Sequence, residues 1–139
     1  MKRTGLTDIL ELIPQRAPFV MVDRLVSMED RSATSVFQVT EGNIFVKDGL
    51  FQESGLMENM AQTAAAMEGY RARSRGEEVK NGYIGGLKNL EIDALPAVGT
   101  VLTTMVTESN FVMNTSILEG EIRAGDQRIA RCEMKVYIP

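Results

Sequence analysis

One stretch limits what this chain can fold into more than any other. From about Ser54 to Arg73, apolar and small residues recur at helical spacing and Thr63 is the only β-branched residue. Leu56, Met60, Thr63 and Met67 form one stripe, with Met57, Ala61 and Ala64 beside it, and the Ala64-Ala65-Ala66 run lets another element approach closely. Ser54 is the expected N-cap and Gly76 the expected end, with Arg71, Arg73 and Arg75 where cations complement the helix dipole. A helix this apolar belongs inside a fold. Glu58 nevertheless sets a carboxylate in its first turn or two.

The remaining sequence reads as strand. Asp8 caps an expected short helix over 8–13 that Pro14 ends. The apolar run Phe19-Val20-Met21-Val22 predicts a first strand continuing through Leu25 and Val26. Alternation from Ser32 to Thr40 predicts a second, paired with it across Glu29-Asp30-Arg31. Residues 41–52, rich in Gly and Asn around Phe45, Leu50 and Phe51, predict a long loop. After the helix come four expected strands: Gly82–Ile92, Thr100–Phe111, Met113–Arg123 and Gln127–Ile138, the last two joined by an Ala124-Gly125-Asp126 turn. Gly85-Gly86 lacks phosphate-loop spacing and points to a bulge in its strand.

One long helix cannot cover both faces of about six antiparallel strands. A curved sheet wrapped around the helix buries it, giving an α+β fold in a single domain over residues 1–139. The long edge strands left by that arrangement invite a second copy.

Composition excludes several functions. A net charge of −4 argues against a general nucleic-acid binder, which needs clustered Lys and Arg. The short, charge-interrupted N-terminal apolar segment is no membrane span, and the single cysteine, Cys132, gives no intrachain disulfide, so a cytoplasmic protein is expected. Cys132 falls in the alternating run Ala130, Met134, Val136 and reads as a buried small hydrophobe. The chain contains no histidine. Neutral-pH acid–base work must come from carboxylates, Lys, Tyr, Cys132 or a partner chain.

Ile13-Pro14-Gln15-Arg16-Ala17-Pro18-Phe19-Val20-Met21-Val22-Asp23-Arg24 resembles the opening of the 3-hydroxyacyl-ACP dehydratases of fatty-acid synthesis, Leu-Pro-His-Arg-x-Pro-Phe-Leu-Leu-Val-Asp-Arg. Glu58, Met60, Ala61 and Gln62 resemble their Glu-Ala-Met-Ala-Gln helix, and Leu95-Pro96-Ala97-Val98-Gly99 their Pro-Gly turn into a strand. The resemblance implies the hotdog fold, a long helix wrapped by an antiparallel sheet. It also implies acyl thioesters, on acyl carrier protein or coenzyme A, as ligands, with no cofactor. The departures are as informative. The histidine of the family's Gly-His-Phe-Pro-Gly motif falls at Ile44, beside a matching Phe45, and that of the opening motif at Gln15. A histidine-lacking subgroup associated with aryl-polyene gene clusters is more similar, in its Glu-x-Met-Ala-Gln-Thr helix and a Gly-aromatic-Leu-x-Gly strand like Gly82-Tyr83-Ile84-Gly85-Gly86.

Glu58 is the expected catalytic residue. The alternative is a carboxylate that only complements the helix dipole, worth about 0.3–1 kcal/mol. Gln62, one turn on, either orients Glu58 or a thioester, or satisfies buried backbone. Ser54 and Gly55 offer helix N-terminal N–H groups to a thioester carbonyl, and Ile44 and Phe45 are expected along the substrate. Arg71, Arg73, Arg75, Lys80 and Lys88 could meet an acidic carrier protein, or simply be a solvated helix end. Asp48, Glu53 and Glu58 are too irregularly spaced for a metal cluster. Three functions follow as expectations. The first is a dehydratase-like protein, a homodimer or a heterodimer with a histidine-containing dehydratase, inactive or weakly active alone. The second is a thioesterase in which Glu58 activates water, and the third a non-catalytic acyl-binding subunit.

Overall fold

A computed structural model describes residues 8–78 and 83–137. The elements are a short 3-10 helix (Ile9–Glu11), β1 (Arg24–Met28), β2 (Ser32–Gln38), β3 (Val46–Lys47), β4 (Leu50–Phe51), helix α1 (Glu53–Ser74), β5 (Tyr83–Ile92), β6 (Val101–Val112), β7 (Thr115–Ala124) and β8 (Gln127–Tyr137). Six strands form one antiparallel sheet in the order β1-β2-β6-β7-β8-β5, and β3-β4 is a separate small hairpin.

The helix lies on the inner face of that sheet. Leu56, Met60, Ala64, Ala66 and Met67 are fully buried against Leu102 and Val106 of β6, Leu118 and Ile122 of β7, and Cys132 and Met134 of β8. Each large side chain buried there contributes about 1.5–3 kcal/mol. The α+β hotdog arrangement expected from the sequence is thus present. The sheet approaches closely at Gly120, where an added Cβ would lie 3.2 Å from Met60 Sδ and 3.3 Å from Met134 Cε. At Gly69 the helix touches the chain leaving the 3-10 helix so tightly that a Cβ would overlap the Leu12 carbonyl oxygen. Gly76, with φ +72°, follows the Arg75 C-cap and ends the helix as expected.

Several boundaries differ from expectation. The run at Phe19–Val22 is not strand, and β1 begins at Arg24. Its backbone groups pair instead with helix side chains, as described below. Residues 41–52 are not all loop: Asp48 and Gly49, both at positive φ (55° and 75°), close the β3-β4 hairpin. Met113 does not open a strand. Met113 and Asn114 (φ 52° and 64°) form the turn joining β6 to β7, a turn without glycine that alternation could not reveal. Ser54 is not the N-cap. Gln52 holds that position in extended conformation, and its amide donates to the carbonyls of Lys47 and Leu50, so the cap side chain serves the hairpin rather than the helix. The expected β5 bulge is present as a register shift between Ile84 and Gly86. There the backbone passes so near the Tyr137 ring that a Cβ on Gly85 would collide with it.

Candidate active site

Glu58 lies in the second turn of α1, and Glu53 occupies the first, where a carboxylate complements the helix dipole. A purely dipolar role for Glu58 is therefore weakened. Its carboxylate faces a groove of about 300 Å3 lined by Phe45, Ser54, Met57, Glu58, Ala61 and Leu87. Ser54, Met57, Glu58 and Ala61 share one helix face at spacings of three and four residues, Phe45 comes from the loop before β3, and Leu87 from β5. The walls are mostly apolar, with Ser54 and Glu58 their polar groups. Such a lining suits an acyl chain next to one acid–base group.

Gln62 sits behind Glu58 with no exposed surface. Its Nε2 donates to Glu58 Oε2 (2.7 Å) and to the Phe19 carbonyl (2.8 Å), and its Oε1 accepts from the Met21 N–H (2.7 Å). Both roles expected of Gln62 toward the protein are therefore filled at once: it orients Glu58 and satisfies buried backbone. Among the described residues, Gln62 is the one hydrogen-bond partner of Glu58 and no cation pairs with it.

The other expected positions divide. Phe45 and Ser54 line the groove, whereas Ile44 does not: it is 44% exposed, while Phe45 beside it turns toward the core. Gly55 is buried with its N–H donating to the Gln52 carbonyl (3.0 Å), so that donor is already engaged within the first turn. Its lack of a side chain matters more. A Cβ at Gly55 would strike the Phe51 ring and lie 2.9 Å from Phe45 Cβ, so glycine here lets the groove wall close on the helix.

The cationic surface expected at the helix end is largely consumed within the chain. Arg71 bridges Glu68 (2.8 Å), Glu108 (3.1 Å) and the Asp30 carbonyl (2.7 Å), Arg73 reaches Glu11 (3.6 Å), and Arg75 pairs with Glu77. Lys88 is exposed on β5, and Lys80 lies outside the described residues. Reading the sequence missed Met57, Ala61 and Leu87 as walls, and Asn59 as a site-supporting group. Met57 and Ala61 carried a signal, their spacing from Ser54 and Glu58. Leu87 carried none, being brought in only by the path of β5.

Known proteins share this fold. Residues 7–139 match the family model of the ApeP-like proteins, described as ApeP dehydratase. The chain is 28% identical over 143 residues to the 3-hydroxyacyl-[acyl-carrier-protein] dehydratase FabZ of Methylobacterium radiotolerans, covering 96% of this chain and 90% of that one. It is 29% identical over 93 residues to FabZ of Lactococcus lactis subsp. cremoris, a match spanning 62% of that protein and 63% of this one. Among solved structures, the dehydratase heterocomplex ApeI:P from Xenorhabdus doucetiae superposes with a TM-score of 0.90 at 19% identity, covering 96% of this chain and 92% of that chain. A hypothetical thioesterase with coenzyme A from Streptococcus pneumoniae shares the fold more distantly, with a TM-score of 0.69 at 10% identity over 84% of each chain. On the family match across nearly its whole length, this chain belongs to the ApeP-like dehydratase family.

Proposed function

We propose that this chain is the histidine-free subunit of a heteromeric 3-hydroxyacyl thioester dehydratase, contributing Glu58 and one wall of the acyl groove. The carrying observation is a half-site. Glu58 is oriented by Gln62 beside an apolar groove, while the chain has no histidine and Ile44 stands where the resembled enzymes place theirs. Eliminating water needs a base to take the C2 proton and an acid to protonate the departing C3 hydroxyl, leaving a 2-enoyl thioester and water. Glu58 fills one of those roles. A histidine of a second subunit fills the other.

The position of β5 supports where that subunit docks. Ten residues long, β5 is an edge of the sheet among the described residues, paired there with β8, and it carries Leu87 of the groove. A partner adding to this edge would border the acyl groove directly. The ApeI:P structure, a dehydratase heterocomplex, is consistent with this pairing. Acyl carrier protein is the natural carrier given the FabZ relatives, with coenzyme A thioesters as the other form to test. No helix among the described residues is long and apolar enough to cross a membrane.

The test is to incubate the chain with a 3-hydroxyacyl-ACP, alone and with each histidine-containing hotdog dehydratase of the same cell, and to follow loss of water by mass spectrometry. Turnover that requires the mixture supports the reading. Robust turnover by the chain alone overturns the heteromeric assignment. Release of free thiol instead of water identifies the thioesterase alternative, in which Glu58 activates water at the thioester carbon.

A further inference from the structure

We infer that Asn59 is a positioning residue for Glu58, acting through the backbone of Met21 and the amide of Gln62. The inference rests on the proposed role of Glu58, but its hydrogen-bond chain is independent of it. Thr104 Oγ1, on β6, donates to Asn59 Oδ1 (2.5 Å), and Asn59 Nδ2 donates to the Met21 carbonyl (2.7 Å). The Met21 N–H donates to Gln62 Oε1 (2.7 Å), and Gln62 Nε2 donates to Glu58 Oε2 (2.7 Å). Thr104, Asn59, Met21 and Gln62 have no exposed surface.

Two helix side chains three residues apart thus hold the two backbone groups of one residue. They do for the segment around Met21 what a neighbouring strand would do, which is why this apolar run does not join the sheet. The arrangement also fixes which way each amide faces. A flipped Gln62 would turn its oxygen on Glu58 and on the Phe19 carbonyl, both acceptors, and its NH2 on the Met21 N–H, a donor. A flipped Asn59 would turn its oxygen on the Met21 carbonyl. The Met21 N–H and the Phe19 carbonyl together turn the Gln62 donor toward Glu58, and Asn59 grips Met21 from the other side. Helix residues 58, 59 and 62 act as one unit, anchored through Thr104 to a central strand.

Removing Asn59 leaves the Met21 carbonyl without its donor in a dry interior, where an unmet polar group is costly and the segment must shift or admit water. Either response loosens the partner that orients Gln62, and misplacement of that size near a reacting group costs about 10-fold to 100-fold in rate.

The test uses the full-length isotopically labelled chain with Asn59→Ala and, as the milder change, Thr104→Val, which keeps the side chain's shape and removes only its hydroxyl. Side-chain NH2 resonances of Gln62 and the carboxyl carbon of Glu58 are followed by NMR, and kcat and KM are measured with the partner dehydratase. The expected result is a shifted Gln62 NH2 pair that exchanges faster with solvent, a displaced Glu58 carboxyl signal, and kcat lowered about 10-fold or more with KM within about 2-fold. Thr104→Val should move the same signals in the same direction by less. Unmoved Gln62 and Glu58 signals in folded Asn59→Ala would overturn the inference; if that variant does not fold, unmoved signals in Thr104→Val decide it. Turnover surviving Glu58→Gln would instead remove the proposed function, leaving the NMR coupling to be judged on its own.

Discussion

Gln62 and Glu58, one helical turn apart, share a 2.7 Å hydrogen bond in which the glutamine amide donates to the carboxylate. A pair at this spacing on an exposed helix contributes only about 0.2–0.5 kcal/mol. Here the glutamine is fully buried and also serves the Phe19 carbonyl and the Met21 N–H, so the pair ties the Glu58 carboxylate to the chain's N-terminal third.

Gln62→Leu is expected to destabilise the protein by about 2–4 kcal/mol, because it strands the buried Met21 N–H and the part-buried Phe19 carbonyl while keeping most of the side-chain volume. Urea unfolding checks this through a lower midpoint at unchanged slope. A loss below about 0.5 kcal/mol would mean that water or another group replaces the amide readily.

Gly69→Ala sets two effects against each other. Helix propensity alone favours alanine by about 1 kcal/mol. The new Cβ would overlap the Leu12 carbonyl, a backbone atom that cannot rotate aside, and overpacking of this sort costs about 1–3 kcal/mol. The clash should win, giving net destabilisation in thermal unfolding. A raised Tm would show that the 3-10 segment moves away without penalty.

Gln62 also marks how far sequence alone reached. Gln62 was visible as an i to i+4 neighbour of Glu58, and its spacing could not say whether it served the carboxylate or the backbone. The helix, its buried stripe and the later strands were legible because their periods of 3.6 and 2 persist over many residues. The segment at Phe19–Val22 misled because an apolar run looks the same whether a strand or two amide side chains complete its hydrogen bonds. The Met113-Asn114 turn was hidden because neither residue is glycine, though both adopt positive φ. The groove wall at Leu87 depends on which strands become neighbours, which no local pattern encodes.

Cys132 should give stability a measurable alkaline slope. Burial pushes its thiol up from the ordinary 9.0 to about 11, so between those values the unfolded chain has lost the proton while the native chain keeps it. Stability linked to this group is full below about pH 9 and declines as pH rises toward 11. Urea midpoints at pH 8 and pH 10.5, compared with those of Cys132→Val, isolate the effect. Equal slopes for both proteins would contradict it. The same burial should make the thiol inert to alkylating reagents until the protein unfolds.

Gly55→Ala should act on the site as well as on stability. Its Cβ would press on the Phe51 ring and on Phe45, a groove wall, so acyl-thioester binding should weaken along with a loss of about 1–3 kcal/mol in stability. Titration of a hydrolysis-resistant acyl thioester analogue monitors the first effect. Unchanged affinity would place the acyl chain away from Phe45.

The most direct test of Glu58 as this chain's contribution to the reaction is a single-turnover measurement with Glu58→Gln in the reconstituted heteromer. Glutamine keeps the shape but can neither take nor give the proton. Dehydration of a 3-hydroxyacyl-ACP should slow by about 10²–10⁴-fold while complex formation and substrate binding persist. A rate within about 3-fold of the unsubstituted complex would contradict it, leaving the partner to perform both proton transfers and this chain only to hold the acyl group.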